Sequence, residues 1–226
     1  MKRDIIIQKE FNDRERSFEN DLFERRRLKT LVSLVPRTGK VLEVGCGYGF
    51  LSFLMLAKNR QVFASDIVKG IARKPLSKGV VFKKISQGKF PFESNSFDCV
   101  ISTDVIEHVL DESGFMEECW RVLKKEGKLI MATPNIYRLS FWLKTLVFQK
   151  PRFPSKANLT PALGMEQHLR EYDKKRLRFL FEKNRWKDIK IFSYGLGLRI
   201  VWSIFIFIPP PFDFFSHYFI AVAKKY

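Results

Sequence analysis

Three glycines and two carboxylates are the residues whose types and spacing could bind a nucleotide-like ligand. In the stretch KVLEVGCGYGF, Gly45, Gly47 and Gly49 follow a short apolar run, and Glu43 lies two residues before the first of them. Such a turn lets the backbone pass close to a bound nucleotide. Asp66 follows roughly 20 residues later, where an acid in such folds accepts hydrogen bonds from ribose hydroxyls. A tight turn that binds no ligand is the alternative interpretation.

The spacing of the glycines argues against a dinucleotide. The dinucleotide fingerprint is G-x-G-x-x-G, whereas here the third glycine arrives one residue early. The carboxylate of Glu43 would repel a pyrophosphate, but it would attract an ammonium group. S-adenosylmethionine (SAM) carries a sulfonium, an ammonium and a carboxylate, and it has no phosphate. The pattern therefore favours SAM over a nicotinamide cofactor.

Strands and helices that alternate along residues 41–134 must position these side chains. Apolar runs predict strands at 41–45, 61–66, 80–86, 97–103 and 128–135, with helices at 48–59, 68–76 and 111–127 between them. This alternation predicts a parallel sheet with right-handed crossovers. In such sheets the ligand binds outside the carboxyl ends of the strands, which is where the candidate residues lie.

The flanking regions predict a four-part organisation. A helix is expected over 9–35, a second over 173–184 with Asp173 as its N-cap, and strands over 186–195 and 217–225. The predicted parts are an N-terminal helical cap (1–40), a SAM-binding core (41–134), a substrate-lid insertion (135–173) and the C-terminal part of the core (174–226) with an apolar insertion at 196–216.

Four ordered motifs resemble those of class I SAM-dependent methyltransferases. They are VLEVGCGYG, VFASDIV, FPFESNSFDCVISTDVIEHV and RVLKKEGKLIMATPN, which together cover residues 41–135. The segment EQHLREYDKKRLRFLFEKNRWK (166–187) is similar to the small-molecule and quinone-type O-methyltransferases of that family. The resemblance implies SAM as the cofactor. It also implies an α/β, doubly wound, mostly parallel seven-stranded sheet, Rossmann-like, with an antiparallel last strand and a helical lid insertion.

The same resemblance assigns cofactor-binding roles by position. The methionine end would be lined by Glu43, Gly45, Cys46, Gly47 and Gly49. Asp66 would hold the ribose and Ile67 would pack on the adenine. Ser86 or Gln87 would read the adenine amino group, since the acid that family members often carry after the third strand is missing here. Thr103 and Asp104 would face the methionine moiety and the substrate.

Methyl transfer needs a catalytic residue only to deprotonate the acceptor or to keep it neutral. The candidates near the strand ends are Asp104, Glu107, His108 and His168, and those expected to be catalytic are Asp104, His108 and His168. His108 could instead only order its loop by hydrogen bonding, and His168 could be a surface histidine. Glu107 next to His108 is too short a pattern to indicate a metal, so no metal is expected. The acceptor is expected to be a hydroxyl of a small-molecule or lipid-linked compound.

A formal net charge of +17 restricts the partners without identifying them. Such a charge favours an anionic membrane surface, nucleic acid or an acidic substrate, or it merely solvates the surface. An RNA methyltransferase and a non-catalytic SAM-binding protein therefore remain alternatives. The three cysteines have no metal spacing, which predicts free thiols in a reducing compartment. The expected location is the cytoplasm, and the charge leaves peripheral contact with an anionic membrane open. Residues 200–212 could be core, a membrane anchor or a face for oligomer formation.

Overall fold

A computed structural model of the protein describes residues 2–56, 59–138, 169–196 and 216–226. In these ranges seven strands form one sheet in the order β3-β2-β1-β4-β5-β7-β6. The strands are β1 (Gly39–Val44), β2 (Arg60–Asp66), β3 (Val81–Lys84), β4 (Phe97–Thr103), β5 (Leu123–Pro134), β6 (Lys187–Leu196) and β7 (Ser216–Lys224). The first five pair in parallel, and β7 is antiparallel to both β5 and β6. The predicted α/β sheet with an antiparallel last strand is confirmed.

Helices cover both faces of the sheet. They are α1 (Lys2–Asn20), α2 (Leu22–Leu34), α3 (Phe50–Met55), α4 (Arg73–Ser77), α5 (Glu112–Val122) and α6 (Lys174–Lys183), with a 3-10 turn at Ile106–His108. Val41 of β1 packs with residues from α1, α2 and α3, whereas its neighbour Leu42 packs with residues from α5 and α6. Strands buried on both faces explain the nearly continuous apolar runs in the sequence.

The N-terminal region forms two helices where the sequence predicted one over 9–35. The chain bends at Asp21, which has extended backbone geometry and begins α2 as its N-cap. The Asp21 carboxylate accepts from the backbone N–H groups of Phe23 (2.9 Å) and Glu24 (3.2 Å). Aspartate competes well for the free N–H groups of a helix start, and this local capping overrides the continuous helical pattern. The equivalent prediction at Asp173 is confirmed, since its carboxylate accepts from the Arg176 N–H at 2.7 Å.

The helix predicted over 111–127 is wrong in its last turn. The helix α5 ends at Val122, and Leu123 already belongs to β5. The backbone of Gly127 accepts from the N–H of Lys225, and Glu126, with a φ of 61°, donates its N–H to the Lys225 carbonyl. Pairing with the C-terminal strand therefore replaces the helical hydrogen bonds that the local sequence would permit. The helices predicted at 48–59 and 68–76 are shorter than expected, as α3 and α4.

Most of the predicted lid and of the apolar insertion lie outside the described residues. Residues 139–168 and 197–215 are not among the described residues. The roles that the sequence predicts for 135–173 and 196–216 therefore stay predictions. Within the described ranges, no helix combines the length and apolar character that crossing a bilayer requires.

The first helix is held to the domain by an aromatic cluster. Phe11 is fully buried, and its ring lies edge-on to Phe50 at 5.5 Å and to Phe53 at 5.9 Å between centroids. Both partners belong to α3, the helix that follows the glycine turn. The N-terminal helix therefore supports the back of that turn.

Replacing Phe11 with alanine is expected to lower the free energy of unfolding by about 3–5 kcal/mol, because it removes a fully buried aromatic ring and leaves a cavity. Urea denaturation followed by circular dichroism measures the loss. Ile6, on the same helix and 46% exposed, is the matched control, and Ile6→Ala should cost less than about 0.5 kcal/mol. Equal losses in the two variants would contradict the packing of α1 on α3.

Candidate SAM and acceptor site

The carboxyl ends of β1, β2 and β4 meet at one edge of the sheet. In the register, Val44 of β1 is opposite Ser65 of β2 on one side and Ser102 of β4 on the other. The residues that come next in each chain segment, Gly45, Asp66 and Thr103, therefore lie side by side. The sequence predicted this juxtaposition from the strand ends alone.

The glycine loop is held by the end of β2. The carbonyl of Ser65 accepts from the N–H groups of Gly45 (2.8 Å) and Cys46 (3.1 Å). One carboxylate oxygen of Asp66 accepts from the N–H of Gly47 at 2.9 Å. The loop after β1 and the acid after β2 thus form one hydrogen-bonded unit. Cys46 is buried within it, and this burial raises the pKa of its thiol, so the group stays protonated.

Two of the loop glycines are required by their surroundings. Gly45 has a φ of 77°, and a Cβ at this position would collide with the side chain of Val105. Gly49 has a φ of 82°, and its Cβ would lie 2.6 Å from Ile71 Cγ1. A side chain would therefore be strained at both positions and would push the loop away from its neighbours. The contact with Val105 also brings the loop after β4 directly against the glycine turn.

Glu43 is a carboxyl group buried beneath the loop, with 3% of its surface exposed. It projects from β1 toward α3, where the hydroxyl of Ser52 donates to its Oε2. Burial raises the pKa of Glu43 to about 8, with the Ser52 hydrogen bonds opposing the shift and Asp66 adding to it. A buried carboxyl that binds protons this readily is poised to interact with a cation, which suits the ammonium of an amino-acid ligand.

Asp66 combines a structural contact with a position at the mouth of the site. Burial raises its pKa, while the N–H groups of Val68 and Gly47 oppose that shift. Ile67, the next residue, leaves 45% of its surface exposed, so apolar area is available beside the carboxylate. This arrangement would allow a ribose on the acid and an adenine against Ile67, and both contacts stay predictions.

The segment after β3 continues along the same edge. The N–H of Ile85 donates to the Asp66 carbonyl at 2.8 Å, and Ser86 and Gln87 follow in an exposed turn. Gln87 has a φ of 50°, and the Lys89 N–H closes the turn on the Ser86 carbonyl at 3.0 Å. The predicted contact of Ser86 or Gln87 with adenine stays a prediction, and their position beyond Asp66 allows it.

On the other side of the glycine loop, Thr103 ends β4 and Asp104 begins the next loop. Asp104 has a φ of 56°, and its N–H donates to the Ala132 carbonyl at 2.9 Å. Its Oδ2 accepts from Arg27 Nη1 at 3.0 Å. A residue of α2 therefore contacts the group that the sequence predicted to face the substrate.

Arg27 is a residue of the candidate site that the sequence analysis missed. Its guanidinium also forms two hydrogen bonds with Glu24, both of 3.0 Å, and lies 4.7 Å from the centroid of the Tyr218 ring. Burial alone would lower its pKa, but Asp104, Tyr218 and Glu24 raise it well above its ordinary value. A usable signal existed, since Arg27 is four residues before buried Leu31 and therefore lies on the apolar face of α2.

Glu107 is the second buried carboxyl of the site, with 1% of its surface exposed. It lies in the 3-10 turn after Asp104, and its Oε2 accepts from Thr133 Oγ1 at 3.0 Å. Burial and then the neighbouring Asp104 raise its pKa to about 8. Tyr218 of β7 belongs to the same group, because the Asp104 charge is the largest cause of the raised pKa of its phenol. The carboxyl ends of β4 and β5 and the start of β7 thus supply a polar cluster beside the glycine loop.

Of the two histidines that the sequence predicts to be catalytic, only His108 is among the described residues. His108 ends the 3-10 turn, is partly buried, and donates its backbone N–H to the Val105 carbonyl at 2.8 Å. Its catalytic role stays a prediction. His168 lies outside the described residues. Among the residues that the structure describes, no three histidine, cysteine, aspartate or glutamate side chains are placed to hold a metal ion.

Comparison with known proteins places these motifs in a family. Residues 42–131 match a family model described as a methyltransferase domain. A probable S-adenosylmethionine-dependent methyltransferase of Mycobacterium tuberculosis is 36% identical over 112 residues, which are 48% of this chain and 40% of that protein. A ubiquinone biosynthesis O-methyltransferase of Xanthomonas axonopodis pv. citri is 35% identical over 109 residues, which are 45% of this chain and 46% of that protein. The chain thus spans less than half the length of these curated relatives.

Solved structures extend the likeness of the fold to nearly the whole chain. A SAM-dependent methyltransferase from Thermotoga maritima, described as a possible histamine N-methyltransferase, has a TM-score of 0.69 and 18% identity, and covers 98% of both chains. A structure of Haemonchus contortus phosphoethanolamine N-methyltransferase 2, in complex with SAM, has a TM-score of 0.59 and 18% identity, over 89% of this chain and 52% of that one. The chain therefore has the fold of the class I SAM-dependent methyltransferases, and its residues 42–131 match a methyltransferase domain.

Proposed function

We propose that this protein transfers a methyl group from SAM to a hydroxyl of a small-molecule or lipid-linked acceptor. SAM supplies a methyl group already activated by its sulfonium, so the protein's main task is to align the acceptor with it. The observation that carries the proposal is the polar cluster around Asp104 and Glu107. It lies directly against the glycine loop, and it carries the hydrogen-bonding groups that a hydroxyl requires.

The described residues divide the site into a donor side and an acceptor side. Glu43, Asp66 and the glycine loop supply groups suited to the amino acid and ribose of SAM. Asp104 and Tyr218 lie on the other side of Gly45, because Val105 packs against that glycine. The methyl group of a SAM molecule bound on the donor side would then point toward the polar cluster around Asp104 and Glu107.

The position of α2 supports a small acceptor over a polymer. Arg27 reaches Asp104 from this helix, so α2 covers part of the acceptor side. Such a cover limits access for a folded RNA but admits a single ring or chain. The similarity to proteins named as O-methyltransferases of ubiquinone biosynthesis supports the same choice, since O-methylation needs an oxygen acceptor.

A screen with SAM labelled on its methyl group tests the activity directly. We expect label transfer to a quinol, phenol, lipid or sugar hydroxyl, and at least about tenfold less transfer by Asp66→Ala, which loses both the ribose contact and the Gly47 anchor. Asp98→Asn is the matched control, because Asp98 lies at the opposite end of β4 and holds Lys124 at 2.7 Å. Label in RNA alone would favour the nucleic-acid alternative, and SAM binding without any transfer would favour a non-catalytic protein.

We further propose that α6 contacts an anionic membrane surface. The helix buries Leu177, Leu180 and Phe181, and its opposite face exposes basic residues around an aromatic ring. Phe179 is 63% exposed and lies one turn from both Lys175 and Lys183. Each basic residue near an anionic bilayer contributes about 1 kcal/mol, and an aromatic ring suits the interfacial region. Charge complementarity therefore favours anionic phospholipid as the occupant of this face.

Co-sedimentation with vesicles of phosphatidylcholine and phosphatidylserine tests this contact. The triple variant Lys175→Gln, Arg178→Gln, Lys183→Gln should bind at least about tenfold more weakly, since three charges leave one surface. The matched control replaces Lys78, Lys84 and Lys89, three exposed lysines at the far edge of the sheet near β3. Equal losses in both variants would reveal unspecific attraction, and retention of RNA by α6 at about 150 mM salt would assign the face to nucleic acid.

The burial of Glu43 predicts a pH dependence of cofactor binding. In the free protein its carboxyl is mostly neutral below pH 8, whereas the ammonium of the ligand favours the anion. Glu43→Gln should therefore bind S-adenosylhomocysteine about tenfold more weakly than the wild type at pH 8.5, with a smaller difference at pH 6. Isothermal titration calorimetry measures the affinity ratio, in which the ligand's own titration cancels.

The same carboxyl predicts the opposite trend in the stability of the free protein. Because its folded pKa is raised above the unfolded value, wild-type stability is lost as pH rises from about 4.5 through 8. Glu43→Gln lacks this loss, so the variant should be the more thermostable of the two at pH 8.5. An affinity ratio and a stability difference that both stay constant from pH 6 to 8.5 would contradict the assignment of Glu43.

A further inference from the structure

One carboxyl oxygen of Glu107 is buried without a hydrogen-bond partner among the described residues. The other oxygen is held by Thr133 Oγ1 at 3.0 Å, so the side chain has a fixed orientation. Its Oε1 is sealed from solvent and accepts from no described group. Buried polar atoms in native proteins are nearly always paired, so an orphaned acceptor points to a donor supplied by a ligand.

The backbone around Glu107 is fixed against the cofactor side. Val105, two residues earlier, packs on Gly45 of the glycine loop. The backbone carbonyl of Glu107 accepts from the N–H groups of Leu169 (2.9 Å) and Arg170 (3.2 Å). The carboxyl is therefore held on both sides, close to where the methionine end of SAM is expected. Precise placement is what a group acting in methyl transfer needs.

The charges that face Glu107 leave it without a cation of its own. Asp104 faces it from the same loop, Arg27 from α2 and the phenol of Tyr218 from β7, and His108 is the next residue in the chain. The guanidinium of Arg170 is turned to the Val109 and Leu110 carbonyls and to Glu112. Arg27 is already engaged by Asp104 and Glu24. Burial and the Asp104 charge raise the pKa of Glu107 to about 8, which is near the value that suits a general base at neutral pH.

We propose that Glu107 is the catalytic residue that accepts the proton of the acceptor hydroxyl, a proposal that rests on the methyl transfer proposed above. The acceptor O–H donates to the unpaired Oε1. As the oxygen attacks the methyl carbon, its O–H bond breaks and the proton passes to Glu107. The new O–C bond forms while the C–S bond breaks, and its electron pair neutralises the sulfonium to give S-adenosylhomocysteine. The proton later leaves Glu107 to water, which restores the carboxylate.

Two neighbouring groups are weaker candidates for this step. Asp104 also has a buried oxygen, Oδ1, without a described partner, but its Oδ2 is ion-paired with Arg27 at 3.0 Å, whereas Glu107 is held only by a hydroxyl. His108 lies at the end of the turn and is more exposed than Glu107. Thr133 is a positioning residue, because its hydrogen bond fixes the carboxyl and favours the anion.

Rate measurements on Glu107→Gln test the proposal, using the acceptor to which the wild type transfers most label in the screen. The variant should bind SAM with unchanged affinity and lose about 10²–10⁴-fold in kcat. The rise of the wild-type kcat/KM toward pH 8 should disappear with it. Glu107→Gln with kcat within threefold of the wild type, or with the same rise, would overturn the proposal.

Three further variants test the roles of the neighbouring residues. Thr133→Val removes the hydrogen bond that favours the anion, so the rise in kcat/KM should move to higher pH, and Thr133→Ser should leave it in place. His108→Gln should keep the rise. If the rise in kcat/KM disappeared in His108→Gln but remained in Glu107→Gln, the histidine would be the base and the assignment of Glu107 would be refuted.

A measurement without acceptor keeps this proposal separable from the proposed function. Between pH 5 and 8.5 the Tm of the wild type should fall relative to that of Glu107→Gln by at least about 3 °C, because the wild type must give up a buried proton. A constant Tm difference would show that Glu107 is already a stabilised anion, and it would overturn the proposal even if methyl transfer occurs. Absence of methyl transfer with a widening Tm difference would instead refute the proposed function alone.

Discussion

The hydrogen bonds that tie the glycine loop to the end of β2 are the constraint on which the rest of the site depends. The carbonyl of Ser65 takes the N–H groups of Gly45 and Cys46, and the Asp66 carboxylate takes that of Gly47. The parallel pairing of β1 with β2 places these groups in reach. Once the loop is held in this way, Gly45 is close enough to the loop after β4 that only a hydrogen fits in place of a side chain. The donor and acceptor sides are therefore positioned by a single turn.

Two buried carboxyl groups show that the site is not arranged for the stability of the free protein. Glu43 and Glu107 are each almost fully enclosed, and burial raises the pKa of each to about 8. Neither has a basic residue as a hydrogen-bonding partner in the described structure, since each is held by a hydroxyl, from Ser52 or Thr133. Buried acids of this kind are costly unless a ligand compensates them. The two acids that lower the stability of the free protein therefore lie at the two places where the donor and the acceptor are proposed to bind.

Local sequence patterns were sufficient for the core of the fold and for the donor side. Strand ends occupied by Glu43, Asp66 and Asp104 could be recognised because in parallel sheets functional groups gather at the carboxyl edge. The partner of Asp104 could not be found in this way, since Arg27 is 77 residues away and meets it only after α2 docks. The strand start at Leu123 was missed for a related reason, because Leu123 pairs with Phe97 of β4 and the residues that follow it bond to Lys225, about 100 residues further along the chain. Histidine was favoured over Glu107 because burial, which tunes a carboxyl, is invisible in the sequence.

The contact between Arg27 and Asp104 lies at the boundary between a part of the site whose sequence can vary and a part whose sequence cannot. The donor side is built from β1, β2 and α3, whereas the cover over the acceptor side comes from α2. Substitutions in α2 can alter the shape and charge around the acceptor while the glycine turn and the Asp66 carboxylate keep their own hydrogen bonds. Divergence of substrate preference within such a chain is therefore expected to accumulate in its N-terminal helices, while the glycine turn and the acid after β2 remain fixed.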